Sequence, residues 1–192
     1  MPTSDAELVR RALAGSQAAY SELVERYASP AVNVAARLVN DRALAEELAQ
    51  EAFVRAFARL GTYDQERRFS SWFFQILHNV SVDYLRRRRV ETISLDALLT
   101  AGRAGPATED PSSSPEGEAE RGELAAALTH ALGRLRHEFR EAVVLKYQQG
   151  LSVDEIAAIL GVPEGTVKTY LHRARRELAT ILSAAGWGPA GR

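Results

Sequence analysis

Apolar residues recur at three- and four-residue intervals along most of this chain, a period typical of amphipathic α-helices. The pattern stops over residues 91–119, where glycine, proline, serine and acidic residues dominate. Such a composition is typical of a flexible, anionic linker. The sequence therefore predicts an all-α protein of two small helical domains. The N-terminal domain spans residues 1–90, the acidic linker 91–119, and the C-terminal domain 120–192.

Capping residues mark the predicted helices of the N-terminal domain. A serine or aspartate at a helix start accepts a hydrogen bond from an unpaired backbone N–H, and proline is tolerated in the first turn. Helices are accordingly predicted to begin at four positions: Ser4, Ser16, Pro30 and Asp41. A last helix, with Ser70 or Ser71 as its cap, is predicted from Phe69 to Arg89.

Apolar stripes predict two helices at the start of the C-terminal domain, where helical pattern resumes at about Glu120. The stripe of the first helix consists of Leu124, Leu128, Ala131, Leu132 and Leu135. The stripe of the second consists of Phe139, Val143, Val144 and Tyr147. We expect both stripes to face the core.

Residues 151–178 predict a helix, a tight turn and a longer helix. Ser152 and Glu155 have capping-box spacing, Gly161 can end the first helix, and Pro163 can open the second. This is the pattern of a helix-turn-helix whose second helix enters the DNA major groove. An ordinary helical hairpin with a solvated basic face is the alternative, but the hydrogen-bond donors of the outward face favour DNA binding. That face carries Thr166, Lys168, Thr169, His172, Arg173, Arg175 and Arg176.

Four aromatic residues crowd the start of the helix predicted at Phe69. We expect Phe69 and Phe73 to lie in the core, because helix packing requires apolar bulk. Trp72 is open to two interpretations: it packs in the core, or it stacks on an unpaired base. The helix ends in four arginines, Arg86 to Arg89, which suit both the helix dipole and a phosphate backbone.

Charge is segregated along the chain, although the net charge of the 192 residues is −1. Residues 61–90 carry +3 and residues 121–192 carry +3, whereas residues 91–120 carry −6. Two basic blocks flanking an acidic spacer indicate anionic partners such as nucleic acid, because phosphate contacts depend on local cation density.

The remaining composition argues against several classes of protein. The chain has no cysteine, and its four histidines lack metal-ligand spacing, so we expect no metal site and no cofactor. No catalytic constellation or small-molecule substrate site is recognisable, so we expect no enzyme. No signal peptide or membrane-inserting apolar run is apparent, which makes the cytoplasm the expected location.

The chain resembles the extracytoplasmic-function (ECF) sigma factors, the small two-domain specificity subunits of bacterial RNA polymerase. The resemblance covers roughly residues 5–90 and 120–183. It is carried by the order and spacing of three stretches: DRALAEELAQEAFVRAF, FSSWFFQILHNVSVDYLRR and GLSVDEIAAILGVPEGTVKTYLHRARREL. The chain departs from the family pattern at three places, with Leu135-Arg136 for a Leu-Pro pair, Phe74 for a tyrosine, and Leu77-His78 for smaller residues.

This resemblance implies binding to core RNA polymerase, to promoter DNA in duplex and single-stranded form, and to an anti-sigma factor. The implied polymerase-binding residues are Glu46, Glu47, Gln50 and Glu51. Those for reading and melting the minus-ten element are Trp72, Asn79, Arg86, Arg87 and Arg88. Those for the minus-thirty-five element are Thr166, Lys168, Thr169, His172 and Arg173, with Arg176 on phosphate. The linker would thread toward the RNA exit path.

Two other classes of protein are compatible with parts of the pattern. An ordinary transcriptional regulator would bind duplex DNA as a dimer through the same helix-turn-helix, but the N-terminal half lacks an effector-type fold or a phosphoacceptor pattern. A pure interaction module, such as an anti-sigma factor or a scaffold, would not need the polar face at Glu47 and Gln50 for promoter-specific initiation.

Overall fold

The computed structural model describes residues 3–95 and 115–187, with side chains over residues 3–88 and 122–187. Within these ranges the chain forms eight α-helices and no β-strand, so the all-α prediction is confirmed there. The helices are α1 Asp5–Leu13, α2 Gln17–Val39, α3 Arg42–Ala58, α4 Phe69–Leu95, α5 Pro115–Arg134, α6 His137–Val143, α7 Val153–Leu160 and α8 Glu164–Ala184. A 3₁₀ turn at Leu60–Thr62 precedes α4, and a π-helical turn at Val144–Gln148 follows α6.

Three of the predicted caps in the N-terminal half are confirmed. The Ser4 hydroxyl accepts the Glu7 N–H at 3.3 Å, and the Ser16 hydroxyl accepts the Ala19 N–H at 3.4 Å. The Asp41 carboxylate accepts the Leu44 N–H at 3.2 Å. These bonds satisfy backbone donors that would otherwise be unpaired at the starts of α1, α2 and α3.

Two predicted helix starts are wrong. Pro30 does not begin a helix but lies inside the continuous α2. A proline within a helix removes one backbone hydrogen bond and costs about 3 kcal/mol, and here Tyr27, Ala31 and Val34 continue the buried stripe across it. Ser70 and Ser71 do not cap α4, because that helix already starts at Phe69 and includes both serines in its first turn.

An aromatic cluster fills the centre of the N-terminal half. Phe69, Phe73 and Phe74 are at most 1% exposed, so the expectation that Phe69 and Phe73 lie in the core is confirmed. The Tyr27 ring lies edge-on to Phe69, with centroids 5.2 Å apart, and the rings of Phe53 and Phe73 lie 4.6 Å apart. These contacts join α2, α3 and α4 around one core.

The start of the C-terminal half differs from the sequence prediction. Helix α5 begins at Pro115, because proline at the first position and the following Glu and Ala residues favour helix. Leu124 and Leu128 are 42% and 40% exposed rather than buried, since no other described helix covers that side of α5. Tyr147 is 59% exposed, because the π-helical turn changes the register of the helical stripe after Val144.

The two halves of the chain pack against each other along a surface that we call the seam. There α4 contacts α7, and α2 contacts α6 and the turn that follows it. Buried residues of both halves belong to one continuous apolar cluster. The linker prediction falls largely on residues 96–114, which lie outside the described residues.

Candidate nucleic-acid and partner interfaces

The helix-turn-helix is formed as predicted, with a capping box at the start of α7. The Ser152 N–H donates to Glu155 Oε2 at 2.8 Å, and the Glu155 N–H donates to the Ser152 hydroxyl at 3.4 Å. A hydrogen bond with Ser152 lowers the pKa of the Asp154 carboxyl, so the first turn carries negative charge that suits the helix dipole. Helix α7 ends at Gly161, whose φ of 65° is left-handed and therefore favours glycine. This turn places Pro163 immediately before α8.

Helix α8 is anchored on one side and open on the other. Val167, Leu171 and Ala174 are 0%, 6% and 0% exposed, and their spacing puts them on one stripe. Of the predicted upstream-element residues, the structure leaves Lys168, Thr169, His172, Arg173 and Arg176 exposed and Thr166 half-buried. The donors of this helix are therefore accessible to a ligand.

Two side chains of α8 have local partners that a ligand can replace. The Lys168 ammonium lies 3.5 Å from Glu164 Oε2, but the two side chains are 65% and 55% exposed, so this pair contributes little to stability. The Thr169 hydroxyl donates to the Gly165 carbonyl at 2.9 Å. Neither contact removes Lys168 or Thr169 from the surface.

Sequence reasoning missed Arg134, which the structure brings beside α8. Arg134 ends α5 and lines a groove with Arg173 and Arg176. Glu177 is the one acidic residue among the described residues that line this groove, beside the three arginines. Arg134 lies on a different helix, so the pattern of α8 alone gave no signal for it.

Helix α4 presents three faces. At about 100° per residue, Trp72, Asn79 and Arg86 fall on one stripe, which we call the outer face. Phe73 and Leu77, both 0% exposed, belong to the core face. Between these two lies a third face with Gln75 and His78, which contact α7 and α6 across the seam. The predicted base-contacting residues Trp72 and Asn79 are therefore adjacent on one side of the helix.

The two residues of the outer face differ in how far they are buried. The half-buried Trp72 ring packs on Tyr63 and Phe69, with centroids 5.3 and 5.7 Å away. Asn79 is exposed, and its amide has no hydrogen bond among the described residues. Trp72 thus has one part in the core and one part at the surface, and base stacking on it stays a prediction.

The arginine run at the end of α4 does not form one surface. The Arg86 guanidinium lies 3.0 Å from Asp83 Oδ1, and Arg87 Nε donates to the Asp83 carbonyl at 3.2 Å. Arg88 is exposed but lies about 160° around the helix from Trp72. Arg86 and Arg87 are therefore near the outer face, and Arg88 is not.

The exposed side of α3 carries all four predicted polymerase-binding residues, Glu46, Glu47, Gln50 and Glu51. Two of them pair within the helix: Arg42 Nε lies 3.2 Å from Glu46, and Arg55 Nε lies 2.7 Å from Glu51. Glu47 and Gln50 make no side-chain hydrogen bond to any described residue. Val54, 64% exposed, follows them on the same side and adds apolar area to a polar surface.

The described residues contain neither a metal-holding cluster nor a membrane-spanning helix. No group of three or more His, Cys, Asp or Glu side chains is arranged to hold a metal ion over residues 3–95 and 115–187. In the same part of the chain, no helix is long and apolar enough to cross a membrane.

Comparison with known proteins matches both halves of the chain. Residues 23–91 match the Sigma-70 region 2 family, and residues 125–178 match Sigma-70 region 4. The sequence is 32% identical over 174 residues to the ECF RNA polymerase sigma factor SigW of Bacillus subtilis, covering 88% of this chain and 92% of SigW. It is 40% identical over 172 residues to the ECF RNA polymerase sigma factor SigE of Mycolicibacterium smegmatis, covering 88% of this chain and 65% of SigE.

Among solved structures, CnrH in complex with the cytosolic domain of CnrY has a similar fold. The TM-score is 0.67 at 27% sequence identity, and the match covers 95% of this chain and 99% of the other.

Proposed function

Because this chain belongs to the ECF sigma factors of bacterial RNA polymerase, we propose that it binds core polymerase and directs initiation at specific promoters. The observation that carries this function is the presence, in one chain, of matches to Sigma-70 region 2 and region 4. A lone helix-turn-helix would support only DNA binding.

The two halves would have different roles in initiation. Residues 1–90 would dock on the polymerase and recognise and melt the minus-ten element, and residues 120–192 would read the minus-thirty-five element, with residues 91–119 joining them. The supporting features are the exposed polar side of α3, the outer face of α4 and the exposed donors of α8.

The α8 surface suits duplex DNA by its chemistry. Lys168, Thr169, His172 and Arg173 would reach base edges in the major groove, where such donors distinguish base pairs. Arg176 would contact phosphate, which positions the helix without reading sequence. Thr166, half-buried at the start of the helix, would support the approach to the backbone.

The outer face of α4 suits an unpaired base. The exposed amide of Asn79 can both donate and accept, so it can pair with a base edge that is hidden in duplex DNA. The free part of the Trp72 ring would stack on the base, and Arg86 and Arg87 would hold the adjacent phosphates. Arg88 would contact the backbone from a different side.

The exposed side of α3 suits a protein partner. Glu47 and Gln50 are exposed without partners among the described side chains, and Val54 supplies apolar contact area beside them. Glu46 and Glu51 would exchange their Arg42 and Arg55 partners for groups on the polymerase. Surface pairs of this kind are weak, so exchanging them costs little.

The family to which this chain belongs also suggests how the protein is regulated and where it is located. Sigma factors are initiation factors rather than an enzyme family, and we propose that this chain catalyses no reaction itself. We also propose an anti-sigma factor as a partner, supported by the likeness to CnrH bound to the cytosolic domain of CnrY. Its work on polymerase would place it in the cytoplasm.

Run-off transcription tests the function. Core polymerase is mixed with a pool of genomic fragments, with and without the protein, and the transcripts are sequenced. We expect transcripts with shared upstream elements only when the protein is present. A regulator would instead bind promoter fragments without core polymerase and change transcription by a different sigma factor, and that outcome would refute the proposal.

A further inference from the structure

The groove between α5 and α8 carries a cationic site that α8 alone does not form. We call it the α5–α8 groove, and its described lining residues are Arg134, Arg173, Arg176, Glu177, Thr180 and Ile181. We propose that this groove holds a phosphate of the DNA backbone beside the minus-thirty-five element, with Arg134 as a phosphate-binding residue outside the recognition helix. The inference rests on the sigma-factor function proposed above, and it adds a second helix to the DNA interface.

The three arginines of the groove have no acidic partner among the described residues. Elsewhere in the described chain arginines do pair with carboxylates, as Arg55 does with Glu51 at 2.7 Å. Glu177 lines the same groove, but none of the described ion pairs joins it to these arginines. The groove therefore carries three positive charges against one negative charge, and this excess attracts an anion.

The groove continues the base-reading surface of α8 toward the end of that helix. One stripe of α8 carries four residues at three- and four-residue intervals, namely Thr169, Arg173, Arg176 and Thr180. A recognition helix contacts base edges with its N-terminal residues. Arg176 lies about 10 Å beyond Thr169 along the helix axis, and the major groove is about 8.5 Å deep. When Thr169 reaches the base edges, Arg176 therefore lies at the level of the phosphates.

Arg134 approaches that level from the neighbouring helix. It is the last residue of α5, a helix that contacts α8, and its side chain is exposed. A phosphate in the groove would lie between guanidinium groups of two helices, and each guanidinium can donate two hydrogen bonds to phosphate oxygens. Contacts from two helices fix the orientation of α8 on the duplex more firmly than contacts from one.

Glu177 limits how strongly the groove binds. Its exposed carboxylate shares the groove with the arginines, so it reduces the positive charge that a phosphate meets and repels the phosphate itself. Backbone contacts carry no sequence information. A weaker phosphate contact therefore leaves the choice of promoter to the base-reading residues.

The acidic linker is a second anion near this groove, but its acidic pair is poorly placed to reach it. Glu109 and Asp110 precede Pro115, the first residue of α5, by six and five positions. A chain of that length spans at most about 22 Å. Helix α5 is about 30 Å long and reaches the groove only at its far end. Chain length therefore favours a DNA phosphate as the occupant.

Binding of the holoenzyme to promoter duplexes tests the role of Arg134. Fluorescence anisotropy is measured at several salt concentrations, on the preferred upstream element and on duplexes with that element changed. Arg134→Ala should weaken binding to all of them by the same factor, roughly three- to tenfold at moderate salt, and should reduce the slope of log K against log[salt] by about 0.9. Arg134→Lys should restore most of the slope, because lysine also binds phosphate as a point charge. Glu177→Gln should strengthen binding to every duplex.

The matched control is Arg136→Ala, which removes the same charge from an exposed position outside the described lining of the groove. It should leave the salt slope unchanged, and thermal unfolding should show the same midpoint for Arg134→Ala as for the unchanged protein. If Arg134→Ala and Arg136→Ala give the same slope, the loss reflects overall charge, and Arg134 binds no phosphate.

A scan of the DNA backbone identifies the phosphate itself. Duplexes with one uncharged methylphosphonate at successive positions around the upstream element are bound by the unchanged and the Arg134→Ala holoenzymes. We expect one position at which the unchanged holoenzyme loses roughly three- to tenfold in affinity and Arg134→Ala loses nothing further. If the two losses multiply at every position, the groove holds no phosphate of the DNA.

Competition distinguishes DNA from other anions. Inorganic triphosphate and a peptide of residues 96–114, at constant ionic strength, should displace the duplex equally from the unchanged and the Arg134→Ala holoenzymes. Selective displacement from the unchanged form by triphosphate would identify a small-anion site, and by the peptide a linker site; either result would overturn the assignment. If the unchanged holoenzyme does not select any promoter or produce run-off transcripts, the sigma-factor function itself fails.

Discussion

Replacing Lys168 and Arg176 on α8 separates base reading from backbone contact. Both side chains are exposed, and Lys168 has only a weak pair with Glu164. Either change to alanine should therefore alter the free energy of unfolding by no more than about 0.5 kcal/mol. A larger effect on promoter binding then has to come from a lost contact with DNA.

The two variants should affect DNA binding in different ways. Lys168→Ala should cost about 1–3 kcal/mol on the preferred upstream element, or roughly 5- to 150-fold in affinity, and much less when the contacted base pair is changed. Arg176→Ala should weaken binding about equally for all sequences. It should also reduce the slope of log K against log[salt] by about 0.9, as expected for one lost phosphate contact.

The assay is fluorescence anisotropy of the assembled holoenzyme on labelled promoter duplexes at several salt concentrations. The preferred upstream element is first selected from a randomised library. Arg11→Ala removes the same charge from an exposed position on α1 and serves as the control. If Lys168→Ala and Arg176→Ala bind as tightly as Arg11→Ala on every duplex, α8 is not the reading helix.

Three further predictions concern the N-terminal half. Glu47→Lys should weaken binding to core polymerase at least tenfold in a pull-down titration while leaving the unfolding midpoint unchanged, whereas Glu25→Lys, exposed on α2, should have no effect on binding. Asn79→Ala should slow open-complex formation on duplex promoters but not on a template with the minus-ten element already unpaired; equal slowing on both templates would exclude a role in melting. The Tyr27 hydroxyl donates to Asp5, and burial first, then that bond, raise the pKa of Tyr27. Because the pKa of Tyr27 is raised in the folded state, its contribution to the free energy of unfolding is fully present below about pH 10. Above that pH the free energy of unfolding falls by up to about 1.4 kcal/mol per pH unit. Urea titrations at pH 8 and pH 11 should show this loss, and Tyr27→Phe should reduce it; an equal loss in that variant would contradict the assignment.

Local rules of helix capping accounted for much of the fold. Ser152 with Glu155, and Gly161 after them, define the helix-turn-helix through interactions between residues a few positions apart, and such interactions are visible in sequence. The same holds for Asp41 at the start of α3. Pro30 was misjudged because the penalty of an interior proline is offset by tertiary packing of α2, which no local rule contains.

The seam could not be predicted from sequence. Glu141 lies between the apolar residues Phe139 and Val143, but its partner His78 is 63 residues away. No spacing rule links two such positions, and the partner of Glu141 within its own helix, His137, gives no sign of a contact with α4. Leu124 and Leu128 show the opposite error, since an apolar stripe predicts burial even where no described helix covers it.

The three faces of α4 limit which of its residues can be substituted without loss of function. A typical surface helix keeps one side that accepts nearly any polar residue, and mutations accumulate there without consequence. In α4 that side is divided between the neighbourhood of Asn79 and the neighbourhood of His78. A saturation-mutagenesis profile of residues 69–87 should therefore lack the usual helical periodicity of tolerated changes. Substitutions at Trp72 and Asn79 should lower expression of the target genes, and those at Gln75 and His78 should disturb the packing of α4 on α7 and α6.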